Sequence, residues 1–266
     1  MKKKISVMLI CALTVCAALA GCGKKSGQTA KSSEDMVYAV EAGSAGEEIA
    51  KANGFKVNVV ASQADALMEV ASGTSDAAII DLLMAGAMIG EGTSYPQLTH
   101  TVELTSEKYV VGCRKGSDMK GFIDTMFQTM YEDGSMQEIA KKYGVQDSLV
   151  KPEVDVVAVQ QGGDSAYIRE KGTLIVGITD FAPMDYTDEN GEWIGFDADM
   201  ARALAEEMGL EIKFVEIDWD NKTMELDSKN IDLVWNGMTL TDEVAASMNC
   251  SVPYCNNAQV VVVPAK

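Results

Sequence analysis

The sequence predicts an α/β protein, and three observations carry that reading. From Met36 onward, short apolar runs of strand length alternate with amphipathic helical segments. Helical patterns close on turn residues, as "SAGEEIAKANG" does at Gly54. The 266 residues, 47% of them hydrophobic, suffice for one large core or two smaller ones. Alternation of this kind implies parallel strands joined by crossover helices.

In order, "MVYAVEA" reads as a strand, "SAGEEIAKANG" as a helix and "KVNVVA" as a strand. The helix "SQADALMEVASG" sets Leu67, Val70 and Ala71 on one face. "SDAAIID" is a buried strand, "LLMAGAMIG" a helix, and "LTHTVEL" and "EKYVVGCRKG" are strands. Two helices follow, "DMKGFIDTMFQTMYEDG" and "SMQEIAKKYG". Residues 147–165, with Pro152 and the Gly162–Gly163 pair, carry the least pattern and read as a connector with room for a short strand at 154–159. Alternation resumes with the strand "TLIVGI" and the helix "DADMARALAEEMG", whose Met200, Leu204 and Met208 share a face. The strand "EIKFVEI", a helix near "DNKTMELDSKN", the strand "IDLVWNG", the helix "DEVAASM" and the strand "AQVVVVPAK" complete the chain. No internal repeat is visible.

The first residues differ from the rest. "MKKK" is a basic start, "ISVMLICALTVCAALA" an apolar stretch too short to span a bilayer, and "LAGC" follows at 19–22. Residues 1–21 read as an export signal. Small residues directly before a cysteine resemble the lipobox of bacterial lipoproteins, which implies that Cys22 is diacylated and becomes the new N-terminus. An ordinary secretory signal with an incidental Cys is the alternative. Residues 22–35 are polar, with no pattern for burial, and read as a tether.

The formal net charge is −18. Loss of residues 1–21 removes three Lys and no acid, leaving 19 basic and 40 acidic residues, or −21. That excess argues against nucleic acid and against adhesion to anionic lipid. Beyond Cys22, an odd set of three cysteines (Cys113, Cys250, Cys255) makes no disulfide framework. A Cys250–Cys255 pair and two buried thiols both remain open. One His (His100), with no C-x-x-C and no H-E-x-x-H, leaves zinc sites and a His-based triad without their parts. No metal or cofactor is expected.

Longer stretches carry a more specific signal. "GTLIVGITDFAPMDYTDENGEWIGFDADMARALAEEMG", "IDLVWNGMTLTDE", "VYAVEAGSAGEEIAKANG" and "ADALMEVASGTSDAAIIDLLMAG" resemble the extracytoplasmic substrate-binding proteins of ABC importers, in the polar amino-acid branch. The resemblance covers nearly all of the chain after the tether. It implies a two-lobe fold of the periplasmic-binding-protein type II class, with a hinge and an interlobe cleft. In that family the blocks run in the opposite order: residues 166–266 look like its first half and 37–146 like its second. The chain therefore reads as circularly permuted, with lobe 2 at 36–103, lobe 1 at 104–146 and 166–266, and the join at 147–165. One strand rather than two would then link the lobes. An offset fragment of a tandem array and a truncated gene are the rival accounts.

By the same resemblance, ligand contacts fall on Phe181 and Trp219 as aromatic walls and on Asn236, Gly237, Met238 and Thr239 of "NGMT". Ser44, Ala45 and Gly46 of "GSAG" would offer a helix N-terminus to a ligand carboxylate. Asp81 would pair with an α-ammonium. The aromatics also suit a core, Asp81 a helix cap, and Ser44 with Glu47 a capping box. Asp197 reads as a helix N-cap. The family's carboxylate-gripping Arg is absent: Val244 fills its position, and Ala45 that of an assisting hydroxyl. Asp81 with aromatic walls suits a cation; alternatively Lys222 or the helix N-terminus replaces the Arg. The reading is a lipid-anchored, extracytoplasmic binder of a small polar solute, amino acid or amine, that serves ABC permease subunits. It is not expected to be an enzyme. A sensory module and a dehydratase on the same fold are the alternatives.

Overall fold

The structure, a computed structural model, describes residues 31–154 and 163–266. The expected export signal, Cys22, the tether up to residue 30 and the expected strand beyond Val154 lie outside the described residues.

Chain order starts with β1 (Val37–Glu41), α1 (Ala45–Ala52), β2 (Lys56–Val60), α2 (Gln63–Ser72), β3 (Ala77–Asp81), α3 (Leu82–Met88) and β4 (Leu98–Glu103). It continues through β5 (Glu107–Cys113), α4 (Met119–Asp133), α5 (Ser135–Lys142), α6 (Asp164–Lys171) and β6 (Thr173–Ile178). Next come β7 (Tyr186–Thr187), β8 (Trp193–Ile194), α7 (Phe196–Met208), β9 (Glu211–Glu216) and α8 (Lys222–Asp227). The last are β10 (Leu233–Thr239), α9 (Asp242–Ser247), β11 (Asn249–Cys250), β12 (Cys255–Asn257) and β13 (Gln259–Pro264).

Local chemistry explains the boundaries. The Ser62 hydroxyl accepts the Asp65 N–H at 3.0 Å and opens α2, and Gly73 closes it at φ +79°. Leu67 and Val70 of α2 are buried, as are Met200, Leu204 and Met208 of α7.

Two sheets form the frames of two lobes. Lobe 2 has the order β2-β1-β3-β13-β4 and lobe 1 the order β11-β5-β10-β6-β9, with β12 beside β5. The crossover helices give parallel pairs, β1 with β2 and β3, and β6 with β9 and β10. The sheets also hold antiparallel pairs, so they are mixed. β13 runs antiparallel to both β3 and β4, and β5 antiparallel to β10. These antiparallel strands adjoin the lobe crossings, which no crossover helix precedes.

β13 brings a correction. The sequence reading groups residues 166–266 in lobe 1, yet β13 sits inside the lobe 2 sheet. Val260, Val261 and Val262 are all buried there. A continuous apolar run needs cover on both faces and neighbours on both edges, and the slot between β3 and β4 supplies them. Among the described residues the chain thus crosses between lobes at 104–106 and again at Ala258, twice rather than once.

A helix that the sequence reading did not anticipate, α6, starts at the end of the connector and runs on to Lys171. Its Ser165 donates N–H to Asp118 Oδ1 at 2.9 Å and its hydroxyl to Asp118 Oδ2. That anchor lies 47 residues away, so no local pattern announces it. Cys113, Cys250 and Cys255 are free thiols, so the open question of a Cys250–Cys255 bond resolves to unpaired residues. Cys250 and Cys255 lie on β11 and β12, each registered against β5.

Candidate functional site

A cavity of about 320 Å³ lies between the lobes. Each wall is built from loops at strand ends, the usual place for a ligand in an open α/β sheet.

The lobe 1 wall rests on β10. Its register against β5 shifts between Val234 and Met238, so the strand bulges at 235–237. Gly237 there has φ +55°, and a Cβ would collide with the Phe181 ring. Phe181 itself is buried against Tyr109, ring centroids 6.3 Å apart and edge to face. Asp197 fixes the bulge: its Oδ2 accepts the Gly237 N–H at 2.6 Å and the Tyr254 hydroxyl at 2.7 Å. The sequence reading made Asp197 a helix cap; the cap position of α7 is Gly195 instead. Burial holds the Asp197 carboxyl above its usual range, opposed by those two donors. Burial, then the nearby Asp197 charge, also raises Asp185 well above its ordinary value.

Phe181, Trp219, Asn236, Gly237, Met238 and Thr239 all line the cavity. Two of them have side chains already committed. The Asn236 carboxamide bonds Thr179 through its N–H, hydroxyl and carbonyl, and donates to Asp185 at 2.8 Å. Thr239 donates its hydroxyl to Glu107 at 3.0 Å. Backbone groups remain their means of meeting a solute. Val244, at the expected Arg position, is buried in an apolar cluster with Trp219, Met238 and Met248. All three Arg are held elsewhere: Arg114 by Asp164 and Asp232, Arg169 by the Met208 carbonyl, and Arg202 by Asp199 and the Trp193 carbonyl.

The lobe 2 wall is made by the β1–α1 turn and the end of β3. Ser44 caps α1, accepting the Glu47 N–H at 3.1 Å while donating to the Glu41 carbonyl at 2.7 Å. Ser44, Ala45 and Asp81 line the cavity. Gly46 does not: a Cβ there would sit 2.9 Å from the Ile79 carbonyl oxygen, so the glycine lets α1 lie directly on β3. Asp81 occupies the cap position of α3 but makes no side-chain cap bond. Its Oδ1 takes donors from Tyr109 at 2.8 Å, Gln259 at 3.1 Å and Asn257, and its Oδ2 one from Gln63. Burial, with the Glu107 charge behind it, still pushes this carboxyl up to about 7.

Several lining residues escaped the sequence reading, Glu41 and Gln63 among them. Glu41 ends β1, fully inside the wall, and Gln63 begins α2 beside it. Gly43 has φ +67°, and a Cβ there would stand 2.8 Å from the Asp220 Cα of the other lobe. Lys222 of lobe 1 reaches the Gly43 carbonyl at 2.9 Å and the Trp219 carbonyl at 3.2 Å, with its ammonium 4.9 Å from the Trp219 ring centroid. Burial lowers its pKa, against the pull of Glu243, Glu41 and Asp220. The lobes therefore touch across the cleft. Among the described residues no cluster of His, Cys, Asp and Glu is arranged to hold a metal, and no helix is long and apolar enough to cross a membrane.

Two α/β lobes, two crossings and a solute-sized cleft define a binding-protein fold of the periplasmic type II class. Residues 174–266 match the family of bacterial extracellular solute-binding proteins, family 3. The L-cystine-binding protein TcyJ of Escherichia coli (strain K12) is 35% identical over 88 residues, 33% of each chain. A cyclohexadienyl dehydratase of Pseudomonas aeruginosa is 31% identical over 96 residues, 36% of each chain. The arginine-bound form of a truncated ArgBP from T. maritima is 39% identical, with a TM-score of 0.30, covering 30% of this chain and 39% of that one. The chain spans about a third of the length of the curated relatives it matches. Most of the named relatives are binding proteins, and the dehydratase among them marks the fold as compatible with catalysis.

Proposed function

We propose that this protein captures a small polar solute, an amino acid or a related amine, between its lobes and delivers it to an ABC importer. Phe181, Trp219, residues 236–239, the α1 N-terminus and Asp81 form the contacts. It works outside the cytoplasm, held to the membrane by lipid on Cys22, and performs no chemistry on the solute. The observation that carries this reading is the cavity of about 320 Å³ walled by loops of both lobes, which is the size range of a small-ligand site.

The chain order is circularly permuted in this reading. Support comes from β13: it lies in one sheet with β1 and β3, where strands from the two ends of the sequence complete one lobe. Two crossings at the hinge favour rigid-body closure over the solute.

A thermal-shift panel on the full chain tests the proposal, using L-arginine, L-lysine, L-cystine, L-glutamine and putrescine. A ligand at a hundred times its Kd adds about 2.7 kcal/mol to stability. At least one member is expected to raise Tm in this way. A panel without any shift contradicts the proposal, and turnover of a prephenate-like substrate would replace it with the dehydratase reading.

A further inference from the structure

Glu41 closes β1 on the lobe 2 wall, is 3% exposed, and its Oε1 has no hydrogen-bond partner. Its neighbour Asp81 differs, with four side chains donating to it. The cavity is also lined by Asp180, Asp220 and Glu243, while its two cations are already engaged. Lys51 pairs with Glu47 at 2.7 Å, and Lys222 donates to the carbonyls of Gly43 and Trp219. Low-dielectric walls lined by one sign of charge focus a field that draws in the opposite sign.

We infer that Glu41 is the residue that selects the solute, receiving an ammonium or guanidinium group and restricting the site to positively charged ligands. This rests on the cavity being the solute site proposed above. A buried carboxylate with an empty acceptor position is unfavourable until a donor or a counter-charge arrives. A cationic group supplies both at once. A neutral solute supplies no charge and leaves the acid protonated.

The groups facing Glu41 set its proton. Burial, reinforced by the charges of Asp81 and Asp65 and opposed by Gln63 and Lys222, pushes the carboxyl up to about 8. Below that pH the free protein holds a proton that a bound cation displaces. Affinity for a cation therefore rises by up to about tenfold per pH unit until the carboxyl ionises by itself, then levels. Asp81 titrates nearby, so the part due to Glu41 is what Glu41→Gln removes.

Calorimetric titration of the full chain with L-arginine, L-lysine and putrescine, and with the neutral L-citrulline and L-glutamine, tests this between about pH 6 and pH 9. At least one cation is expected to bind about thirtyfold or more tighter than either neutral solute. Glu41→Gln, nearly isosteric, is expected to cut that preference below about threefold and to flatten its pH dependence. A cation preference that survives Glu41→Gln overturns the inference. Tightest binding by a neutral solute also overturns it, while leaving the solute-binding reading intact. No binding by any probe overturns both.

Discussion

Two pairs of buried acids, one in each lobe, share a physical signature and differ in what they face. In lobe 1, Asp185 and Asp197 are fully buried and lie behind the site; neither lines the cavity. In lobe 2, Glu41 and Asp81 are equally withdrawn from bulk water but form part of the cavity wall. Burial raises the carboxyl pKa in all four. A raised pKa alone therefore does not mark a binding residue. The lobe 1 pair gives one oxygen each to the scaffold, Asp185 Oδ2 to Asn236 and Asp197 Oδ2 to Gly237 and Tyr254, and leaves the other oxygen of each unpartnered behind the site. The lobe 2 pair differs in that its unpartnered oxygen, on Glu41, belongs to a residue that lines the cavity.

The comparison breaks if the lobe 1 pair proves dispensable for folding. Asp197→Ala strips the acceptor from the Gly237 N–H and the Tyr254 hydroxyl at once, and is expected to cost about 3 kcal/mol. A lowered urea midpoint with unchanged slope would measure it. Gly237→Ala tests the bulge those donors hold. It forces an L-residue to φ +55° and presses on Phe181, with an expected loss of about 2 kcal/mol and a weakened ligand-induced Tm shift.

Glu41→Gln is predicted to act in the opposite direction. The folded state keeps its proton up to about 8, against an ordinary value of 4.5. Between those values the folded protein binds more protons than the unfolded chain, so the Glu41 contribution falls as pH rises. At pH values near and above about 8 the substitution is expected to stabilise the unliganded protein by about 1–2 kcal/mol, and by progressively less toward acid. Melting curves across pH, wild type against variant, read the difference directly. A variant less stable than wild type at the alkaline end would place Glu41 with the lobe 1 pair.

Much of the fold was legible because the signals were local. The i, i+4, i+8 apolar face of α7, the Ser62 and Gly73 brackets of α2, and the β1 and β3 runs need only their own residues. The all-valine run of β13 announced a strand, but a run buried on both faces fits any central slot and does not name its sheet. α6 depends on Asp118, and the role of Asp197 on Gly237, 40 residues away. Of the site, nine of the called residues line the cavity and were readable from motif resemblance, since "NGMT" and "GSAG" sit on turns whose backbone is local. Gly46 was misplaced because its neighbour Ile79 is on another strand. Glu41 was missed for a related reason. A glutamate ending a strand looks solvated, and only the assembled wall leaves it buried with an oxygen to spare.

The measurement that addresses the central claim most directly is hydrogen exchange with and without whichever probe gives the largest Tm shift. If the solute is held between the lobes, amides on both walls are protected together: the 43–47 turn of lobe 2, and the 179–181, 219–223 and 236–239 segments of lobe 1. Protection confined to one lobe, or spread evenly over both sheets with none at the walls, would contradict it.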